Sequence, residues 1–149
     1  MIPVTQTITE NDPASGKIGN CWQAAIASVF DVENIDDVPH FIAMESTEDE
    51  PNKWWYQTLN WIERTQGKFT NWMDVERLSD IPAALTRERG KPDVHPYAIL
   101  TGQSPRGDWL HAVVVELETG KIVHDPFPTG EGKLLGLVDI TYFFSEAKK

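Results

Sequence analysis

Apolar residues along the chain keep two rhythms. In the first half they return at helical spacing. Trp22, Ala25, Ile26, Val29 and Phe30 lie three and four positions apart, which predicts an amphipathic helix from about Asn20 to Val32 with that stripe buried. Asn34 to Phe41, carrying Ile35, Val38 and Phe41, predicts a second short helix limited by Pro39. Pro51 to Gly67 predicts the clearest one: Pro51 suits the first turn, Gly67 the C-terminal cap, and Trp55, Leu59 and Ile62 the buried stripe. Trp54, Tyr56 and Trp61 surround that stripe as an aromatic rim, read as the edge of the core in preference to a ligand platform. Ahead of these, Pro3 to Thr9 suits a short strand or extended arm, followed by a loop from Glu10 to Gly19.

After Gly67 the rhythm shortens. Lys68 to Met73 reads as an edge strand, and Asp74 to Gly90 as loop and short helix, broken at Pro82 and ending in a charged Arg87-Glu88-Arg89 turn. Tyr97 to Thr101 is a strand. Trp109 to Leu117 is another, and its unbroken Ala112-Val113-Val114-Val115 centre is typical of a strand covered on both faces. A turn over Glu118 to Lys121 leads into Ile122 to Asp125, stopped by Pro126 and Pro128. Leu134 to Phe144 supplies a last strand or strand-helix segment before a charged tail. With helices first and an antiparallel meander after, and with no repeat or linker, the layout predicts one α+β domain over residues 1–149.

Composition narrows the functional classes. An apolar fraction of 40% in 149 residues is enough for a core without cross-links. Cys21 is the only cysteine, so no internal disulfide can form and a reducing cytoplasm fits best. No basic segment followed by an apolar run opens the chain, and no membrane span is expected. A net charge of −10 with no basic patch argues against nucleic acid as a partner. From Asp31 to Glu50 there are eight acidic residues and no Lys or Arg. That stretch reads as a solvated face, with a docking surface for a basic partner as the alternative.

The candidate chemistry begins at Gly19-Asn20-Cys21-Trp22. Asn20 reads as a helix cap, which places Cys21 at the helix mouth, where unpaired N–H groups and the positive end of the helix dipole favour a thiolate. A lone cysteine is more often a small buried hydrophobe, but this one lies at an end of the stripe and not within it. A thiol becomes useful when a histidine from another element can take and return its proton. His111, at the entrance of the buried strand, is the best candidate, and Asp125 on the adjacent hairpin strand is placed to orient its ring. That pairing is a register estimate, and a slip of one residue favours His124 instead. His40 and His95, each beside a proline, read as surface or turn residues. His111, His124 and Asp125 make a poor zinc pattern, so neither a metal nor another cofactor is expected.

Asn-Cys-Trp-Gln-Ala-Ala, His-Ala-Val-Val-Val and His-Asp-Pro, in that order over Pro3 to Pro126, resemble the papain-like cysteine peptidase superfamily. The chain is most similar to its compact bacteriocin-leader (double-glycine) peptidase branch and to small uncharacterised phage and prophage proteins. The resemblance implies a papain-like fold, with the cysteine helix packed on an antiparallel sheet, and a Cys21–His111–Asp125 triad. It further implies that Gln6 donates an N–H to the oxyanion, together with the backbone N–H of Cys21. Two departures stand out. Asn11 to Ile18 looks inserted between Gln6 and Cys21, and Asn20-Cys21-Trp22 replaces the usual Asp-Cys-Gly. Gln23 competes with Gln6 for the oxyanion role, though a structural role inside the helix suits it equally. Trp22, Trp109 and Phe127 flank the three positions and would wall a substrate cleft. The expected activity is attack on a peptide, isopeptide or carboxamide bond of a peptide or protein substrate, by hydrolysis or acyl transfer. The alternative is a non-catalytic phage-encoded binding protein or inhibitor on the same fold, acting on a basic host partner in the host cytoplasm.

Overall fold

A computed structural model describes residues 1–44, 47–87 and 94–145. The expected Arg87-Glu88-Arg89 turn and charged tail fall largely outside these. The helices are α1 (Cys21–Val29), α2 (Lys53–Gln66) and α3 (Ala83–Arg87), and the strands are β1 (Phe69–Asp74), β2 (Tyr97–Gln103), β3 (Leu110–Glu116), β4 (Ile122–His124) and β5 (Leu137–Phe144). The protein is α+β, with one five-stranded antiparallel sheet in the order β1-β5-β2-β3-β4. Among the described residues no helix is long and apolar enough to cross a membrane.

The sheet separates two cores, which explains the run at the centre of β3. Ala112 and Val114 join Ile26, Val29, Ile62, Ile99 and Phe143 on the side of α1 and α2. Val113 and Val115 join Ile81, Leu100, Ile140 and Tyr142 on the other, closed by α3 and the turn before it. With both faces covered, no position in the strand centre can be polar.

Only β2-β3-β4 is a meander. β5 inserts between β2 and β1, which corrects the expected strand order. It fits there through a bulge at Thr101/Gly102, where a side chain on Gly102 would meet the Gly136 carbonyl at 2.2 Å.

The helices also depart from expectation. α1 is buried on every side from Trp22 to Val29, not along one stripe. The small residues Ala24, Ala27 and Ser28 let the N-terminal arm lie against it, and the Val4 N–H donates to Ser28 Oγ at 2.9 Å. The segment from Asn34 to Phe41 forms two 3₁₀ turns, Ile35–Asp37 and Phe41–Ala43, because Val38, ahead of Pro39, is extended and cannot continue a helix. α2 starts after Asn52, not at Pro51, and ends at Gly67, whose φ of 65° suits glycine. Its buried line is Thr58, Trp61 and Ile62 in place of Trp55, Leu59 and Ile62. Thr58 is drawn inward because its Oγ1 accepts the Trp22 indole N–H at 3.2 Å.

Candidate active site

Cys21 is the first residue of α1 and half-buried, and it opens into a cleft of about 500 Å³ between the helices and the open end of the sheet. Asn20 occupies the capping position without capping the helix. Its Oδ1 accepts the N–H groups of Thr7 and Ile8 at 3.0 and 2.8 Å, and its Nδ2 donates to Thr7 Oγ1 and Gln23 Oε1. The side chain therefore holds the arm and leaves the first N–H groups of the helix unclaimed. Such groups favour negative charge at the helix mouth, where Cys21 sits.

His111 lies on β3 beyond the end of the short β4 ladder, which pairs Val114 with His124 and Val115 with Ile122 around a bulge. This register puts Asp125, not His124, against the ring. His111 Nε2 donates to Asp125 Oδ1 at 2.7 Å, and both side chains are almost fully buried. Cys21 lies close enough to act electrostatically on the ring, and Nδ1 is the nitrogen that Asp125 leaves open. Burial is the largest influence on the ring and opposes its charge. The hydrogen bond to Asp125 and the electrostatic pull of Cys21 and Asp125 outweigh it, raising the pKa from 6.5 to about 9.

Asp125 is gripped on both oxygens. Oδ1 also accepts the Phe127 N–H, and Oδ2 accepts the Gly132 N–H, each at 3.0 Å. Burial opposes its charge most strongly, yet the His111 bond, the two N–H donors and the ring's charge hold the carboxyl below the usual range. A side chain on Gly130 would meet this carboxylate at 2.3 Å, so the backbone can pass only as glycine. The Pro-Phe-Pro-Thr-Gly-Glu-Gly stretch after Asp125 carries this grip. Its glycines were the sequence signal for it.

Gln6 reaches the cleft despite the long interval before Cys21. Asn11 to Ile18 loops out through an Asp12–Lys17 bridge, and the Asn20 N–H returns to the Ile8 carbonyl. On its other side the arm is tied down by the Gln6 N–H to Pro126 carbonyl bond at 2.8 Å. Gln6 Nε2 donates to the Ile8 carbonyl at 2.8 Å, which fixes the amide and leaves one N–H to spare. Gln23 has both protons committed to the Ile35 and Val38 carbonyls, away from the cleft.

His40 and His95, expected at turn or surface positions, and His124 are all half-buried and tied to the backbone. The Nε2 atoms of His40, His95 and His124 bond the carbonyls of Ile18, Val29 and Val4 at 2.9, 2.9 and 2.8 Å. A carbonyl only accepts, so each Nε2 carries a proton. Burial above all lowers the pKa of His95. Among the described residues no group of three His, Cys, Asp or Glu is placed to hold a metal.

Trp22, Trp109 and Phe127 all line the cleft. Trp22 is also a core residue, packed edge-on against Trp54 with centroids 5.7 Å apart. Arg106 covers Phe127, its guanidinium 3.7 Å from the ring centre. Trp54, Trp55, Trp72, Thr101 and Asp139 line the cleft as well, and sequence reasoning missed them as site residues. The one signal was polar Asp139 and Thr141 alternating with Ile140 and Tyr142 in β5. No protein family, curated protein or solved structure matches the chain.

Proposed function

We propose that this protein is a cysteine-nucleophile hydrolase or acyltransferase of papain-like design, acting on a peptide, isopeptide or carboxamide bond. The observation that carries the reading is the His111 ring, hydrogen-bonded to the Asp125 carboxylate and lining the same open cleft as Cys21, which acts on its charge. An imidazole with a pKa of about 9 is protonated at neutral pH. Its positive charge and the helix N-terminus then both stabilise a thiolate.

In the proposed reaction the thiolate attacks the carbonyl carbon, and the C=O π pair moves to oxygen. The spare N–H of Gln6 and the backbone N–H of Cys21 receive that oxyanion. The tetrahedral centre collapses, the C–N bond breaks, and the His111 Nδ1 proton passes to the departing nitrogen. A thioester remains. Neutral His111 then takes a proton from water or from an acceptor amine, which attacks the thioester and expels the Cys21 thiolate. Asp125 keeps the ring's tautomer and orientation through both steps.

Iodoacetamide labelling tests the pair. At pH 6 Cys21 in the wild type is expected to label at least about tenfold faster than in His111→Ala, because an unpaired thiol is almost wholly protonated there. Cys21→Ala should abolish labelling with the fold intact. Equal rates in the wild type and His111→Ala would favour the non-catalytic binding protein.

A further inference from the structure

Directly paired residues of an antiparallel sheet project from the same face. Asp74 pairs with Asp139, Asp139 with Thr101, and Thr101 with Ala112, so these residues form one row across four strands. Asp139, Thr101 and Ala112 all line the cleft. His111 lines the same cleft.

Two aspartates directly opposite each other repel, and a sheet gains nothing from placing them so. Among the described residues neither has an ion-pair partner. Asp139 is half-buried, and its Oδ1 accepts a hydrogen bond from Thr101 Oγ1. Burial first, and then the charge of Asp74, raise its pKa against the pull of that bond. Trp72 pairs with Thr141, two residues along β5 from Asp139, and lines the same end of the cleft. Trp54 and Trp55 lie on α2, which packs on β1 and brings further aromatic surface to this cleft. An uncompensated carboxylate in an aromatic-walled recess is suited to a cation.

We propose that the Asp139 end of the cleft is a specificity subsite for an organic cation, the side chain of lysine or arginine or a comparable amine of the substrate, with Asp139 as counter-charge and Trp72 as aromatic wall. The proposal rests on the Cys21 reading for which bond is attacked. Asp139 lies two strand spacings from Ala112, about 10 Å. A long basic side chain on a residue close to the attacked carbonyl spans that distance. A metal ion is a poorer occupant, because among the described residues no third His, Cys, Asp or Glu joins the two carboxylates.

The test titrates tryptophan fluorescence of Cys21→Ala with Nα-acetyl-lysine amide and with Nα-acetyl-norleucine amide, which has the same carbon chain without the charge. The lysine amide is expected to bind at least about tenfold tighter, and the additional change Asp139→Asn should reduce that preference to about twofold or less. Equal affinity in Cys21→Ala overturns the subsite without requiring any variant of Asp139. A preference unchanged by Asp139→Asn, or displacement of the lysine amide by millimolar Ca²⁺ or Mg²⁺, overturns it too. Iodoacetamide labelling of the wild type runs alongside. Fast labelling without lysine preference removes the subsite and leaves the thiol chemistry. Slow, His111-independent labelling with the preference intact removes the thiol chemistry and leaves a cation-binding cleft.

Discussion

Asp125→Asn probes the polar grip at the site with almost no change in shape. In the wild type, Oδ1 accepts from His111 Nε2 and the Phe127 N–H, while Oδ2 accepts from the Gly132 N–H. All three partners donate, so an asparagine amide turned either way sets an NH₂ against an N–H. An unsatisfied buried donor costs about 1–3 kcal/mol.

The electrostatic part can be worked separately. His111 rises from 6.5 to about 9, which corresponds to about 3 kcal/mol of preference for the charged ring. Asp125 supplies the leading hydrogen bond and part of the electrostatic pull behind that rise. Its removal should therefore lower the His111 pKa by at least about one, or about 1.4 kcal/mol. The assay is an NMR titration of the histidine ring protons, with His111→Ala assigning the signal. A wild-type His111 titrating near 6.5, or the same value in both proteins, would refute the reasoning.

The pH dependence of stability has a definite sign. Asp125 is depressed in the folded state, so its contribution is present above the unfolded value of about 3.9 and lost as pH falls through the lower folded one. His111 is raised, so its contribution is present below about pH 6.5 and lost as pH rises through about 9. Urea denaturation should show the wild-type advantage over Asp125→Asn near neutrality, shrinking toward both extremes.

Gly130→Ala places a methyl 2.3 Å from the Asp125 carboxylate and should cost about 1–3 kcal/mol in urea melts while lowering the His111 pKa. Asn20→Ala removes three hydrogen bonds to the arm and one to Gln23. It should cost about 1–3 kcal/mol and speed amide exchange at Thr7 and Ile8 ahead of the sheet. Ile26→Ala, at a position with no solvent exposure, should cost about 2–5 kcal/mol by thermal or urea unfolding, through the cavity it leaves.

Local pattern was enough to place much of this molecule. The spacing of Trp22, Ala25, Ile26 and Val29 located α1 and set Cys21 at its start, and Gly67 marked the end of α2. The unbroken apolar centre of β3 disclosed a strand covered on both faces. These follow from side-chain periodicity and backbone conformation, which depend on neighbours a few positions away.

Tertiary structure decided the rest. The place of β5 between β1 and β2 is a choice among long-range pairings that no local pattern encodes. Asp125 was the expected partner of His111, but its choice over His124 hung on a register that a bulge at Val114/Val115 sets. Gln6 reaches the cleft only because Asn20 and Pro126 clasp the arm on either side of the excursion from Asn11 to Ile18. Asp139 became a cleft residue when β5 brought it beside Thr101 and opposite Asp74. Periodicity fixes which way a side chain points from its own element, but the groups it meets are set by how distant elements pack.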